Sequence, residues 1–433
     1  MYLGKNAAKP RVVIIGGGFG GVNLGRKLKN ADVDVVMLDK HNYHTFQPLL
    51  YQVAIGAIES DAVGFPIRRI FTHQKNFSFH MAEVQKIDPV SNTVTTTLGA
   101  VHYDYLVIAT GANSNFFGNK EIEHYTLPMK NLPEALNIRS LILQNLEKAA
   151  VTTDLAERDA LLTFVVVGGG PTGVELSGAL AEVQRNMLCK DYPDLHPEHM
   201  KVYLAEGKPK LIASMSEQAS TKAKEFLIDM GVTIYNDVHV TSYNGDILKI
   251  DNGVEIKTRN VFWAAGVKGE VPEGIPQEVI LRGARIETNE ISQVKGFTNI
   301  FAIGDVAAMI TADSPQGHPG VAPVAIQQGA HLAKNIVRLI RNEPTEPFKY
   351  HDKGSMATIG RNRAVADLGK IRFQGTFAWF VWLFVHILSL AGFSNKLVVF
   401  SNWLINYFTK NTDNRLIVHY FNTETMTTEP MAK

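Results

Sequence analysis

The 433-residue chain has one cysteine, Cys189. One thiol cannot close an intramolecular disulfide, complete a zinc site or hold an iron–sulfur cluster. It also excludes any mechanism that needs a redox pair of cysteines. Excess charge is lacking as well: Lys+Arg 43 against Asp+Glu 42 leaves +1. There is no global basic field, so nucleic acid is not an expected partner. The early apolar run Val12–Ile15 is too short for a signal peptide and opens straight into glycines, so export is not expected. One long stretch lacks acids: no Asp or Glu lies between Asp367 and Asp413.

What is present is ordinary in bulk. Hydrophobic residues make up 45% and charged residues 20%, which suits a globular chain of two or three domains. Mean hydropathy is −0.03, an average over unlike parts.

The specific signals begin at once. Arg11–Ile15 reads as a buried parallel strand and enters Gly16-Gly-Gly-Phe-Gly-Gly21. A helical stretch, Val22–Lys29, and a second strand, Asp34–Asp39, come next. Gly16, Gly18 and Gly21 have GxGxxG spacing, and Asp39 comes 39 − 16 = 23 residues after the first glycine, close to the ~20 of the dinucleotide fingerprint. Gly16 permits the tight turn, Gly18 lets backbone approach a pyrophosphate, and Gly21 lets helix and strand pack closely. The helix N-terminus meets the phosphate charge, and Asp39 can accept hydrogen bonds from a ribose diol.

The unit recurs. Thr163–Val167 is a strand, Gly168-Gly-Gly-Pro-Thr-Gly173 a glycine turn, and Val174–Met187 a helix; the strand Lys201–Ala205 then ends at Glu206. That acid is 206 − 168 = 38 residues on, because a polar, Pro-containing insertion, Lys190–His199, intervenes. Two such units imply two dinucleotides, as in chains that hold a flavin and a nicotinamide together. Tyr105–Gly111, Val261–Gly266 and Asn299–Asp305 are further apolar runs ending in glycine or Gly-Asp. Phe77–Val94 reads as an excursion from the first domain. The expected fold class is therefore α/β, with two Rossmann-type domains.

The C-terminal text differs. From Asp367 to Asp413 the charges are Lys370, Arg372, Lys396 and Lys410, and three of the four tryptophans, Trp379, Trp382 and Trp403, fall there. Phe377–Phe393 is apolar apart from His386 and Ser389, and a second apolar stretch runs Leu397–Phe408. The first stretch falls short of the ~20 residues of a spanning helix. An interfacial amphipathic pair fits better, with tryptophans at headgroup level and lysines toward anionic lipid. A hydrophobic dimer interface is the other reading.

Several strings together resemble the type II NADH:quinone oxidoreductases. They are Asn42-Tyr-His-Thr-Phe-Gln-Pro-Leu-Leu-Tyr-Gln-Val-Ala54, Ala-Thr-Gly at 109–111, Gly-Asp at 304–305, residues 320–329, residues 353–361 and the tryptophan-rich end. The resemblance runs from about Arg11 to Leu416. It implies a monotopic flavoenzyme, peripheral on the cytoplasmic side of the cell membrane, with non-covalent FAD. Such an enzyme oxidises NADH and reduces menaquinone or ubiquinone without pumping protons, and a homodimer is expected. Gly16, Gly18, Gly20, Gly21, Asp39, Lys40, Val84, Thr110, Gly111 and Asp305 would surround FAD. Gly168, Gly170, Gly173 and Glu206 would hold NADH, with Gly266, Ala322 and Pro323 among the cofactor contacts. Gln47, Tyr51 and Gln327 would serve the quinone. The family's usual Ala-Gln-x-Ala-x-Gln reads Ala322-Pro-Val-Ala-Ile-Gln327 here, so Pro323 replaces the first glutamine and Gln327 is retained. Implied domains are 1–118 with 290–345 for FAD, 119–289 for NADH, and 346–433 for membrane and quinone.

Two residues carry the expected proton and substrate chemistry, Glu175 and Gln327. Glu175, just after Gly173, is either a carboxylate complementing the helix dipole or a proton-handling group beside the flavin. Gln327 offers an amide to quinone or flavin oxygens, or is an exposed helix glutamine. Asp305 bonds ribityl hydroxyls or caps the next segment. Glu206 disfavours a 2′-phosphate and so favours NADH over NADPH; Lys208 and Lys210 read as solvated loop charges. His386 reads as packed or interfacial, Cys189 as structural or solvent-facing. Disulfide reductases and sulfide:quinone oxidoreductases need paired cysteines. A soluble NADH oxidase has no use for the aromatic end, and an apoptosis-inducing-factor-like flavoprotein would oxidise NADH slowly with any quinone.

Overall fold

The computed structural model describes residues 9–312, 314–409, 414–417, 419–423 and 425–429. Lys410 and Asp413 lie outside the described residues. In chain order, the elements that position the site begin with β1 (Arg11–Ile15), α1 (Phe19–Lys27), β2 (Asp34–Asp39), α2 (Leu50–Ala54), β3 (Phe77–Met81) and β4 (Tyr105–Ile108). Then come β5 (Leu127–Pro128), α3 (Leu132–Val151), β6 (Thr163–Val167), α4 (Pro171–Val183), β7 (Lys201–Glu206), α5 (Glu217–Asp229), β8 (Thr233–Asn236) and β9 (Asn260–Trp263). The last part holds β10 (Ile300–Ala302), α6 (Ala322–Ile340), β11 (Ser355–Thr358), β12 (Ala364–Leu368), β13 (Ile371–Gln374), α7 (Thr376–Ser389) and α8 (Phe393–Thr409).

The chain forms two compact units. The first comprises Met1–Thr45, Phe65–Asn113 and Val267–Asp352; the second comprises Phe46–Gly64, Ser114–Gly266 and Lys353–Lys433. In the first unit a parallel sheet has the order β10-β4-β1-β2-β3. All five residues of β1 are buried, because it pairs on both edges and is covered on both faces. Val12, Ile14, Val35 and Met37 pack on one face with Leu332 and Ile336 of α6. Val13, Ile15, Val36 and Leu38 pack on the other with Ile87, Val94 and Ile286. This alternation of inward faces is the two-residue period of a strand. α1 and α6 cross at glycines: a Cβ on Gly329 would stand 2.4 Å from the Gly20 carbonyl oxygen.

The second unit repeats the plan. Its parallel sheet has the order β5-β9-β6-β7-β8, so the strand entering the glycine loop is again central. α3 starts at a capping box in which Asn131 and Glu134 each accept from the other's end of the turn, satisfying donors that a helix N-terminus leaves unpaired. β11, β12 and β13 form an antiparallel meander that precedes α7 and α8.

Some boundaries differ from expectation. α1 starts at Phe19, three residues before Val22, because Val22 N donates to the Gly18 carbonyl at 3.0 Å and draws Gly20 and Gly21 into the helix. α4 starts at Pro171, and its end runs on as a π-helical turn, Gln184–Leu188. Phe77–Met81 belongs to the main sheet, parallel to β2; the excursion begins only after Met81. The meander over 355–374 is not signalled in the sequence, since strands of four or five residues, with Ala364–Ala366 buried in succession, show no clear alternation. Among the described residues no helix is long and apolar enough to cross a membrane.

Candidate active site

The two glycine loops are near copies. Gly16 and Gly168 both have φ of +109°, where a side chain is strained. Their N–H groups donate to Leu38 and Ala205 carbonyls at 2.8 and 2.7 Å. A Cβ on Gly21 would stand 2.0 Å from the Gly16 oxygen, and one on Gly173 1.8 Å from the Gly168 oxygen; nothing but glycine fits. At Gly18 and Gly170 the opposite holds: a Cβ would meet nothing within 4 Å. These two positions therefore face open space at the N-termini of α1 and α4, the cradle a pyrophosphate needs. Each loop fits a dinucleotide.

The acids match too. Asp39 accepts from Gly17 N at 2.6 Å and His41 N at 2.7 Å. Glu206 accepts from Gly169 N and, at 2.8 Å, from Lys208 N. In each case the middle loop glycine and the residue two beyond the acid hold the carboxylate. Around the first loop, buried His44 stands with Nδ1 2.9 Å from the Gly17 carbonyl; desolvation lowers its pKa, so the ring is neutral and Nδ1–H donates. Sequence reasoning missed His44, although it lies inside the 42–54 string.

The other expected residues of the first unit are held by its loops and by α6. Lys40 ion-pairs with Glu270 at 3.1 Å, and the Thr110 hydroxyl donates to the Glu270 carbonyl at 2.5 Å. Gly111 has φ of +74° with open space beside it. Asp305 lies against Gly320, whose Cβ would be 3.3 Å from the Asp305 Cγ. The Asp305 turn is fixed by Gln328, whose Oε1 accepts from Gly304 N at 2.7 Å. Gln327 gives its Nε2 to the His351 carbonyl at 2.9 Å and accepts from His351 N at 3.0 Å, so both amide groups are engaged with backbone. Ala322 and Pro323 open α6, where proline forfeits no helical hydrogen bond. Gly20 sits at the crossing with α6, and Val84 packs against the sheet.

In the second unit Gly266 accepts from Asn115 N at 3.0 Å, and Gln47 is exposed at the start of a single 3₁₀ turn. The richer chemistry lies on α4. Glu175, Gly178 and Glu182 are spaced i, i+3, i+7 and share one face. Residues 358–361 pack there: a Cβ on Gly178 would be 3.1 Å from Gly360 N and from Ile359 C. The close approach brings Thr358 N to the Glu175 carboxylate at 3.4 Å and Arg361 N to Glu182 at 2.5 Å. Glu175 is buried and lies beyond the first turn, so dipole complementation does not explain it. Desolvation pushes its pKa up to about 8, against a small opposing effect of the Thr358 N–H.

Tyr51 joins this face. Its buried hydroxyl lies 3.0 Å from Thr358 Oγ1 and accepts from Gln52 Nε2 at 2.9 Å, while Gln52 Oε1 accepts from Trp403 Nε1 at 2.7 Å. Burial and the nearby Glu175 raise the Tyr51 pKa, so it stays a phenol. Tyr51, Gln52, Glu182, Thr358, Trp382 and Trp403 are among the residues lining a cavity of about 110 Å³. The tryptophans thus point inward, contrary to a headgroup belt. Trp382 is buried and stacks on His386 at 3.9 Å between centroids. An indole N–H favours a polar partner over hydrocarbon, and the cavity supplies polar groups. The outer faces of α7 and α8 carry phenylalanine and leucine instead. Cys189 is exposed.

Comparison with known proteins places this geometry. The pyridine nucleotide-disulphide oxidoreductase family matches residues 10–329, and the NDH2 C-terminal domain matches residues 352–410. The type II NADH:quinone oxidoreductase NdhA of Mycobacterium tuberculosis is 38% identical over 92% of this chain and 87% of its own. The chain belongs to the type II NADH:quinone oxidoreductase family. A member from Staphylococcus saprophyticus is 29% identical over 86% of this chain and 93% of its own. The fold matches NDH2 from Plasmodium falciparum in complex with NADH, with a TM-score of 0.85 at 21% identity, covering 95% of this chain and all of that one. It also matches a sulfide:quinone oxidoreductase from Aquifex aeolicus, at a TM-score of 0.69. As a type II NADH:quinone oxidoreductase the chain is an enzyme for electron transfer from NADH to quinone. The redox pair of cysteines that the broader family's name suggests cannot form within this chain, because Cys189 stands alone.

Proposed function

We propose that the chain binds FAD non-covalently in the first glycine loop and NADH in the second, and passes electrons to menaquinone or ubiquinone at a membrane surface without moving protons across it. The observation that carries this reading is the duplicated loop with its identically held acids, Asp39 and Glu206. Gly16, Gly18, Gly21, Asp39, Thr110, Gly111 and Asp305 would hold the flavin nucleotide; Gly168, Gly170, Gly173 and Glu206 would hold NADH. Bound FAD supplies a centre that accepts a hydride and gives up two electrons.

The protein's own part is positional and protolytic. The loop glycines bring backbone N–H groups to the phosphates, and the acids fix the riboses. Glu206 disfavours NADPH by charge. Quinol needs two protons, of which the hydride brings one, so the other must come from solution. Glu175, uncharged near neutral pH, holds that proton and releases it to the reduced quinone. Tyr51 meets Thr358, whose N–H reaches Glu175, and orients the acceptor. The apolar outer faces of α7 and α8 seat the enzyme on the cytoplasmic face of the membrane, where it feeds the respiratory chain.

The test is optical. Detergent-purified protein should be yellow, should bleach on anaerobic NADH addition and should recover its colour with quinone. Recovery with oxygen but not quinone would instead mark an NADH oxidase. Slow recovery with every acceptor would mark a flavoprotein with mainly a binding role.

A further inference from the structure

α4 carries a second, half-buried carboxylate with no part in the proposed function. Glu182 lies on the same helix face as Glu175, seven residues along, and lines the 110 Å³ cavity that Tyr51 and Thr358 also line. A carboxylate held away from bulk water is costly unless it is paired or protonated. Three arginines approach it and none forms an ion pair with it among the described residues. Arg361 turns its guanidinium to the carbonyls of Asn406 at 2.8 Å and Tyr407 at 3.3 Å. Arg185 donates to the Asp229 carbonyl at 2.7 Å, and Arg363 lies over the Phe226 ring at 5.8 Å. What Glu182 receives is one backbone N–H, from Arg361. Desolvation raises its pKa against the pull of that N–H and the three arginines.

Arg361 also lines the cavity as its one cation among the described residues, and the other polar groups there are neutral. α2 contributes Tyr51, a phenol; residues 184–188 contribute Asn186; α8 contributes Asn406 and Tyr407. On α7, His386 is kept uncharged by burial, with its pKa pushed down to about 4. The buried Trp382 indole N–H lines the same cavity without a protein partner. A space of this size has room for several waters, with Glu182, Tyr51, Asn186 and Asn406 among the polar partners along its wall.

We propose that Glu182 is the intake carboxylate for the proton consumed in quinone reduction, passing it through cavity water and the Tyr51–Thr358 hydroxyl pair to Glu175. This rests on the reading of Glu175 as the proton donor. The balance is NADH + H⁺ + quinone → NAD⁺ + quinol. The hydride supplies both electrons and one proton. The second proton leaves the Glu175 O–H for a quinone oxygen, Glu175 regains one along the relay, and Glu182 is recharged from solvent. No electrons move along this path. Glu182 touches no substrate and is a positioning residue for the proton.

The test uses the holoenzyme and two variants. Glu182→Gln keeps an acceptor for the Arg361 N–H and removes the titrating proton; Tyr51→Phe keeps the ring and removes the relay hydroxyl. Under anaerobic stopped flow, bleaching by NADH should be unchanged in Glu182→Gln. Recovery with quinone should slow by about ten-fold or more, less than the roughly 10²–10⁴-fold of an acid acting directly on the substrate, because Glu182 acts through Glu175. The loss should grow as pH rises, and small weak acids such as formic acid should restore Glu182→Gln. The infrared difference between wild type and Glu182→Gln should show a protonated carboxyl at neutral pH. Unchanged recovery, an equal slowing of both half-reactions without rescue, or an ionised Glu182 throughout would overturn the proposal. If Glu175→Gln slows recovery while Glu182→Gln does not, this inference fails alone; if neither does, the proton role of Glu175 fails with it.

Discussion

Glu175 is a residue whose charge state reports its surroundings. Its pKa lies at about 8 in the fold, against an ordinary 4.5, and burial is the main cause. A raised carboxyl pKa means the folded state holds the proton more tightly than the unfolded chain. That stabilisation is complete below the ordinary value and is lost as pH rises toward 8. Glu175→Gln has no such dependence. Between pH 5 and 8 the wild type should therefore lose about 1.4 kcal/mol per pH unit relative to Glu175→Gln, measured by denaturant unfolding of both at each pH. Glu182 is present in both proteins and cancels. Parallel curves would show that Glu175 is ionised in the fold. Glu206 makes a different point at this scale. Its two oxygens serve two N–H groups, Gly169 and Lys208. An amide can accept at one only, so Glu206→Gln should lose about 1–3 kcal/mol of stability. It should also raise the ratio of kcat/KM for NADPH over NADH by roughly ten-fold as the repulsive charge goes.

At the scale of elements, glycine spacing made the two strand–loop–helix units legible. Steric rules leave few sequences able to build them, and every loop glycine named from sequence has a backbone reason in the fold. The α4 face was legible only in part. Glu175 stood out beside the second motif, but Gly178 and Glu182 acquire meaning from residues 358–361, nearly two hundred positions away, and no local pattern encodes that approach. Thr358, Gln328 and His44 were missed for the same cause, since each acts on a group remote in sequence. The tryptophans were misplaced because composition reports how many there are and not which side of a helix they occupy. The Gly178 contact is itself testable. A valine there would press on Gly360 N and Ile359 C, already 3.1 Å from a first carbon, and would push the strand away from both carboxylates. Gly178→Val should cost about 1–3 kcal/mol and slow quinone-dependent recovery, read by unfolding and stopped flow on one preparation.

At the scale of the molecule, the near-zero charge and hydropathy of the whole conceal a local surface. α7 exposes Phe377, Phe380, Phe384 and Leu388, and α8 exposes Leu397, Phe400, Leu404 and Phe408. Both sets have the spacing i, i+3, i+7, i+11, one stripe on each helix. The opposite faces are committed inward: Ala378, Trp382 and Val399 are buried, and Asn395 donates to carbonyls of residues 61 and 62 at 3.0 and 3.1 Å. The nearby cations serve the fold, since Lys396 donates to the Leu388 carbonyl at 2.7 Å and Arg372 stands 4.0 Å from Asp367. Deleting residues 374–433 would therefore strip the cavity wall along with the stripe and confuse anchoring with folding. Charging the stripe separates them. Phe380→Glu combined with Phe400→Glu alters exposed positions, so stability should change by no more than about 0.5 kcal/mol for each. A carboxylate set into the apolar face of a membrane-seated helix opposes insertion strongly. The double variant should move from the membrane to the soluble fraction on sedimentation and keep turnover with a short-chain, water-soluble quinone. With long-chain quinone in vesicles it should lose most of its turnover. If it stays on membranes but changes oligomeric state, the stripe is an interface between subunits and the membrane contact lies elsewhere.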